Sequence, residues 1–144
     1  MKYDNCYNLN IPGELRYTAM RDALNRTGRA IYYSICSWGT DEVWKWGNTV
    51  GNSWRTTDDI SNNWESVITN YKINDQHQSN AGPGSWNDPD MLEIGNGGLT
   101  SQEERTHFAL WAFAKAPLII GCDLNTVSGQ SLAILKNKQL ISVN

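Results

Sequence analysis

The chain has 144 residues, the length of one domain and enough to bury a hydrophobic core. Its formal net charge is −3 and no basic cluster is present, which disfavours a nucleic-acid partner. No apolar run approaches the roughly 18 residues of a spanning helix, so we expect no membrane partner.

The cysteine and histidine pattern argues against a metal site. Cys6, Cys36 and Cys122 show no C-x-x-C spacing, and His77 and His107 are isolated. Seven tryptophans and six tyrosines are many for this length. Such rings either pack in a core or cover the apolar faces of sugars, with their polar tips hydrogen-bonded.

The first residues place a cation beside a carboxylate. Alternate side chains of an extended segment share a face, so Lys2 and Asp4 point one way and Tyr3 the other. Such a pair is usually a surface ion pair. The alternative is a reactive aspartate that its neighbour keeps ionised, and a second carboxylate in a different environment would favour it.

The first half of the chain is predicted to alternate between helices and buried strands. Helically spaced apolar residues predict a helix over residues 12–25. The apolar, β-branched and aromatic run 30–36 is typical of a buried parallel strand. A loop or short helix through Trp44 and Trp46 comes next, and residues 53–56 are predicted to form a brief strand.

The alternation continues into the second half. Trp64, Val67, Ile68 and Tyr71 have helical spacing, and a very short strand is predicted at residues 85–87.

A capping box predicts the start of the next helix. Thr100 and Glu103 have the required spacing, and Pro117 is predicted to end this helix. Residues 118–121 are expected to form another buried strand, and Leu132 marks a last short helix.

This order favours a parallel α/β sheet, either doubly wound or a (β/α)8 barrel. No glycine-rich phosphate loop follows a strand, which favours the barrel. Polar and bulky residues also follow every strand, where a barrel has its active site: Asp4, Asn5, Ser37, Trp38, Arg55, Asp58, Asp59, Asn87, Asp88, Asp90 and Asp123. A full barrel needs eight strands. We count about five in this sequence, and the first of them is truncated, so we expect a partial barrel.

Four segments carry a resemblance to a known family. They are KYDNC (2–6), SWRTTDDI (53–60), AGPGSWNDPDMLEIGNGGLT (81–100) and KAPLIIGCDL (115–124). Their order and spacing resemble the α-galactosidase or melibiase family, glycoside hydrolase family 27, in its plant-like and microbial branch. The resemblance implies a (β/α)8 barrel followed by a β-sandwich. Residues 1–144 would form a single partial catalytic domain, from the end of strand 4 to helix 8, without the sandwich and without the N-terminal half of the barrel.

The resemblance also implies the catalytic roles. Asp4 would be the nucleophile and Asp59 the general acid/base of a retaining glycosidase, in which two carboxylates flank the scissile bond. Lys2 would stabilise ionised Asp4 and bind sugar hydroxyls, while burial or a neighbouring anion would keep Asp59 protonated. Asp58 is a rival for the acid role on composition alone.

The same resemblance implies a set of sugar contacts. Arg55 would reach the 2-hydroxyl region, and Asp90 would accept hydrogen bonds from the sugar or support the site. The other members are Cys36, Ser37, Trp38, Trp86 and Met91. Without the resemblance, Asp90 could equally be a turn residue, and Asn87 and Asp88 could equally be turn formers. Trp54, Trp111 and His107 are expected to be packed rather than catalytic.

Two departures from the family pattern matter. The family partner of Cys6 in a disulfide is missing, which costs about 2–4 kcal/mol of stability. Ser37, with small Thr40 three residues on, resembles the related α-N-acetylgalactosaminidases, whereas Trp38 and Gly39 resemble the α-galactosidase loop. We therefore predict galactose as the preferred sugar of the substrate, with N-acetylgalactosamine as the alternative.

The sequence thus predicts a cofactor-free hydrolase of α-galactoside oligosaccharides. A non-catalytic sugar-binding module and an incomplete fragment are the competing hypotheses. The chain alone is expected to show little or no activity, and its open sheet edges would allow self-association. No signal-peptide pattern is seen. A secreted, vacuolar or lysosomal location follows from the family resemblance, and the glycosylation triplet at Asn25 is compatible with it.

Overall fold

The computed structural model describes residues 1–144 and contains a four-stranded, wholly parallel sheet. The strands lie side by side in chain order, β1-β2-β3-β4. Because parallel neighbours need a crossover, each consecutive pair is joined by a segment that contains a helix. The bounds are β1 Lys2–Asp4, β2 Ser34–Cys36, β3 Ser53–Arg55 and β4 Trp86–Asp88.

The helices agree with the predicted alternation. Six are α-helices: α1 Gly13–Arg26, α2 Gly47–Val50, α3 Trp64–Asp75, α4 Ser101–Phe113, α5 Gly129–Leu135 and α6 Lys138–Val143. Two short 3-10 helices lie at Thr40–Lys45 and Gln78–Asn80. The predictions for α1, α3, α4 and α5 are confirmed. Helix α6 was not predicted, because its six residues are too few to show a helical period.

The capping box of α4 is confirmed in atomic detail. The Thr100 side chain accepts a hydrogen bond from the Glu103 backbone, and the Glu103 carboxylate accepts one from Thr100 N at 2.7 Å. The helix ends at Phe113, and Lys115 takes a left-handed φ of 56°. The chain therefore leaves the helix before Pro117, the residue predicted to end it.

Two predicted strands are shorter than expected. The strand predicted at 30–36 starts only at Ser34, because Tyr33 N bonds the Asn52 side chain instead of a neighbouring strand. The strand predicted at 118–121 is reduced to one parallel bridge between Leu92 and Ile120. The bridge consists of two hydrogen bonds, from Leu92 N to Ile119 O at 2.8 Å and from Gly121 N to Leu92 O at 3.1 Å.

One face of the sheet packs against helices and forms the first of two hydrophobic clusters. Ile35 of β2 and Trp54 of β3 are fully buried there against Tyr17 of α1 and Val50 of α2, with Tyr3 of β1 at the margin. The second cluster joins α3, α4 and α5 around Phe108 and Trp111. The packed positions predicted for Trp54 and Trp111 are confirmed.

The fold class is α/β with a parallel sheet, as predicted. Four strands do not close a barrel, so the partial (β/α)8 barrel is confirmed only in its parallel, strand–helix character. None of the helices combines the length and the apolar character that crossing a membrane requires.

His107 makes the second cluster sensitive to acid. It is buried in α4, where its Nε2 accepts a hydrogen bond from Glu93 N at 3.0 Å, and burial lowers the pKa of its imidazole to about 4. The unfolded chain binds this proton near pH 6.5, so the free energy of unfolding should fall by roughly 3 kcal/mol between pH 6.5 and pH 4. We expect His107→Gln, whose amide oxygen keeps the acceptor, to flatten this decline in urea unfolding. Equal declines in both proteins would contradict the assignment.

Candidate active site

The site is built on the face of the sheet opposite the first cluster. The strand registers pair Asp4 with Cys36 and Arg55 with Asp88, and they set β3 beside β2 so that Cys36 and Arg55 are neighbours. Since laterally paired residues of a sheet point to the same face, these four side chains form one row. Each is the last residue of its strand. The row therefore lies at the C-terminal ends of the strands, where α/β enzymes have their active sites.

The predicted pairing of Lys2 with Asp4 is present. Lys2 Nζ lies 3.7 Å from Asp4 Oδ1, and both side chains are half exposed. Partial burial works against the charge on Lys2, but the neighbouring Cys36 and Asp4 outweigh it and raise the pKa of its ammonium above the usual value. Lys2 is therefore a cation beside the Asp4 carboxylate.

Arg55 is the buried centre of the site, with a side chain only 1% exposed. Its Nη2 lies 3.2 Å from Asp59 Oδ1 and 2.9 Å from Asp90 Oδ2. The same nitrogen donates to the carbonyls of Thr57 and Asp58, and Nη1 donates to Cys36 Sγ at 3.7 Å. A guanidinium with this many partners holds the loop after β3 in place around the two carboxylates.

Asp90 is a supporting residue in this structure. Its φ of 90° is rare for a non-glycine residue, and the conformation is held by several hydrogen bonds. Oδ2 accepts from Ile60 N at 2.9 Å as well as from Arg55, and Oδ1 accepts from Met91 N at 2.8 Å. Both oxygens of Asp90 are therefore engaged within the protein, and its predicted contact with the sugar stays a prediction.

Asp59 differs from the expectation in one respect. The acid/base was expected to be buried or to face another anion, yet the Asp59 side chain is 78% exposed and pairs with the cation Arg55. Asp59 lies in the loop after β3, four residues beyond Arg55, so it is not a member of the row. Asp58, its rival, is also exposed and contributes its carbonyl to Arg55.

The loop after β2 contains the residues expected to face carbon two of the sugar. Ser37 is 1% exposed, and its hydroxyl has no hydrogen-bond partner. Its carbonyl accepts from Thr40 Oγ1 at 2.7 Å, which ties the two residues of the predicted arrangement together. Trp38 is half-buried at φ 57°, followed by Gly39 at φ 73°. A Cβ on Gly39 would lie 2.4 Å from Thr56 O, so only glycine fits this turn.

Trp86 and Met91 are the remaining predicted sugar contacts. Trp86 is paired with Ser53, two residues before the Arg55–Asp88 pair, so it lies nearer the N-terminal ends of the strands. It lines an open cavity of about 450 Å³ with Tyr32 and Pro117. Met91 is half-buried next to Asp90.

Asp88 belongs to the row, although the sequence suggested only a turn former. It lies in β4, and its Oδ1 accepts a hydrogen bond from Asp90 N at 2.9 Å. Burial raises the pKa of its carboxyl to about 6, against the opposing effects of Asp90 N and Arg55. The sequence could have indicated this through strand alternation. Asp88 is two residues from Trp86 in an extended segment, so the two side chains share one face of the strand.

The raised pKa of Asp88 predicts a pH-dependent cost in stability. Between pH 3.8 and about 6 the folded chain holds a proton that the unfolded chain has lost, so stability falls as the pH rises through this window. Asp88→Asn, whose amide oxygen can still accept from Asp90 N, should therefore raise the free energy of unfolding at pH 7 by up to about 3 kcal/mol. Below pH 4 we expect no gain, and an equal gain at both pH values in urea unfolding would contradict the prediction.

The side chains of the site are not arranged for a metal ion. Across residues 1–144, no three His, Cys, Asp or Glu side chains are grouped as they are around a metal. What the arrangement offers instead is two accessible carboxylates, each beside a cation, at one end of a parallel sheet.

Comparison with known proteins identifies the family. The profile of the melibiase family described as alpha galactosidase A matches residues 1–144. Alpha-galactosidase 3 of Arabidopsis thaliana is 57% identical over 144 residues, which are 100% of this chain and 33% of the relative. The alpha-galactosidase of Oryza sativa is 49% identical over the same length, 34% of that protein.

Solved structures agree. The α-galactosidase of Saccharomyces cerevisiae superposes with a TM-score of 0.94 at 37% identity, over 99% of this chain and 37% of that chain. A family 27 β-L-arabinopyranosidase of Geobacillus stearothermophilus has a TM-score of 0.87 at 25% identity, over 99% of this chain and 36% of that chain. The chain thus spans about a third of the curated relatives it matches. It belongs to the α-galactosidase (melibiase) family, glycoside hydrolase family 27.

Proposed function

We propose that residues 1–144 are part of the catalytic domain of a retaining α-galactosidase, and that Asp4 and Asp59 are its two reacting carboxylates. The observation that carries the proposal is their shared position at the C-terminal ends of the strands. Asp4 is a member of the row, and Asp59 is joined to the row through Arg55 at 3.2 Å. Two carboxylates that share one site are what retaining hydrolysis requires.

In this mechanism Asp4 attacks carbon one of the galactose and Asp59 protonates the departing oxygen. The covalent galactosyl–Asp4 ester forms as the glycosidic bond breaks. Water, deprotonated by Asp59, then hydrolyses the ester and releases galactose with its original configuration. Lys2 supports the first step by favouring ionised Asp4, and the exposed Asp59 side chain is accessible to the leaving group.

Names of relatives support galactose as the sugar. The relatives described above are called α-galactosidases, and the Saccharomyces enzyme has been solved with raffinose. The arabinopyranosidase at 25% identity shows that other sugars occur within family 27. We therefore place α-galactoside oligosaccharides first as the substrate class, and a secreted, vacuolar or lysosomal location remains a prediction from the family resemblance.

One observation favours a second candidate, α-N-acetylgalactosaminidase. Ser37 is small, its buried hydroxyl has no partner, and it is linked to small Thr40. Small residues at this place would leave room for an acetamido group. The ratio of kcat/KM for the aryl α-galactoside and the aryl α-N-acetylgalactosaminide separates the two candidates.

The proposal can be tested in a chimera, because the chain matches about a third of a full-length enzyme. Residues 1–144 replace the matched segment of the Arabidopsis relative, an alignment with no insertion relative to this chain. The purified chimera is then assayed on an aryl α-galactoside and on raffinose. We expect turnover of both, with release of α-galactose detected by NMR before it mutarotates.

Three results would overturn the proposal. A folded chimera that binds galactose without turnover would identify a sugar-binding module. Release of β-galactose would exclude the retaining mechanism. Preferential cleavage of the N-acetylgalactosaminide would favour the second candidate. The separate 144-residue polypeptide is expected to show little or no turnover.

A further inference from the structure

We propose that Cys36 is a positioning residue for Asp4, and that its thiol donates a hydrogen bond that orients the attacking carboxylate. The inference rests on the proposed function, since it assigns Asp4 the role of nucleophile. It adds a buried connection, from Arg55 through Cys36 to Asp4, between the arginine that holds the acid/base and the nucleophile itself.

The geometry places Cys36 between these two residues. Cys36 is fully buried at the end of β2, and its strand register pairs it with Asp4 of β1. On its other side Arg55 Nη1 donates to Sγ at 3.7 Å. An N–H directed at the sulfur occupies one of its lone pairs, so the S–H bond is left free to point towards β1.

The protonation state suits this arrangement. Burial, with a further contribution from the neighbouring Asp4 carboxylate, raises the pKa of the Cys36 thiol to about 12. Cys36 is therefore a neutral S–H group at any pH at which a glycosidase works. A neutral thiol can donate to a carboxylate, whereas a thiolate would repel it.

Lys2 cannot supply the same orientation. Its side chain is long and half exposed, and a contact of 3.7 Å leaves the Asp4 carboxylate room to rotate. Cys36 has a short side chain in a packed environment, and Arg55, which contacts its sulfur, is itself fixed by four oxygen partners. Lys2 and Cys36 therefore act on Asp4 in different ways. Lys2 places a positive charge beside the carboxylate, and Cys36 fixes the direction in which the carboxylate points.

The test uses the active chimera with Cys36→Ala, which removes the donor, and Cys36→Ser, which keeps one. Loss of a hydrogen bond to a carboxylate should lower kcat/KM about tenfold in Cys36→Ala, mainly through kcat. KM should change little, because the substitution alters the orientation of Asp4 rather than the binding of the sugar. We expect Cys36→Ser, which keeps a donor, to retain a kcat close to that of the parent. Cys122→Ala, a half-buried thiol outside the site, is the matched control and should leave activity unchanged.

A parent-like kcat in Cys36→Ala, or equal kcat values in the alanine and serine variants, would overturn the inference. Infrared spectroscopy provides a readout that needs neither activity nor a stable alanine variant. The S–H stretching band of Cys36 is isolated by subtracting the spectrum of Cys36→Ser. It should move to higher frequency in Asp4→Ala, and an unmoved band would also overturn the inference. An inactive parent chimera with a shifted band would instead refute the proposed function and leave the thiol contact established.

Discussion

Replacing Asp4 by asparagine should reduce hydrolysis of the aryl α-galactoside at least about a thousandfold in the chimera, because an amide cannot form the glycosyl ester. The fold should be unaffected. Asp4 is half exposed, its known partner is an equally exposed Lys2, and such a pair contributes little to stability. The measurement is kcat/KM together with the thermal unfolding midpoint. A folded variant that retained a tenth of the parent activity would exclude Asp4 as the nucleophile.

Two aspartates in the loop after β3, Asp58 and Asp59, provide the comparison for Asp4→Asn. Asp59→Asn should lose about 10²–10⁴-fold on raffinose, but less on an aryl galactoside whose leaving group needs no proton. Asp58→Asn should leave both rates near those of the parent, because the contact of Asp58 with Arg55 is made by its backbone carbonyl. Reversed effects of these two substitutions would transfer the acid role to Asp58.

The elements that were predicted from the sequence are those whose signal is local. Helices α1, α3 and α4 have a helical period or a capping box, and both depend on residues within a few positions of one another. Strands of three residues show no such period, and their limits depend on partners distant in the chain. This is why residues 30–33 and 118–121 were wrongly assigned to strands: Tyr33 bonds a side chain, and Ile120 meets only Leu92.

The geometry of the candidate site was predicted only in part, and the roles of its residues stay predictions. Alternation along the first strand sufficed to place Lys2 and Asp4 on one face, and this pairing is confirmed. The contacts that connect the strands could not be read from spacing, because they depend on lateral register. Neither the place of Cys36 between Asp4 and Arg55 nor the inclusion of Asp88 in the row follows from the sequence of any one segment. The exposure of Asp59 likewise depends on how its loop leaves β3.

Arg55 should be the residue whose loss costs the site most stability. Its side chain is 1% exposed and that of Asp90 is 9% exposed, so their contact at 2.9 Å is a buried ion pair. Removing one member leaves an uncompensated buried charge, which typically costs about 3–5 kcal/mol. We expect Arg55→Met to lower the free energy of unfolding by that amount in urea denaturation at pH 7. Arg55→Lys should lose less stability yet most of the activity, because an ammonium cannot serve Asp59, Asp90 and Cys36 together.

An exposed ion pair of the same chain provides the control for Arg55. Lys45 lies next to Glu42 in the first 3-10 helix, and both side chains are about 60% exposed. Lys45→Met also removes a cation beside a carboxylate, yet it should change the free energy of unfolding by less than about 1 kcal/mol, because water solvates the remaining charge. The double variant Arg55→Met/Asp90→Asn should recover part of the loss, since it removes the stranded charge as well. Equal losses for Arg55→Met and Lys45→Met, or no recovery in the double variant, would show that the Arg55–Asp90 pair does not organise the site.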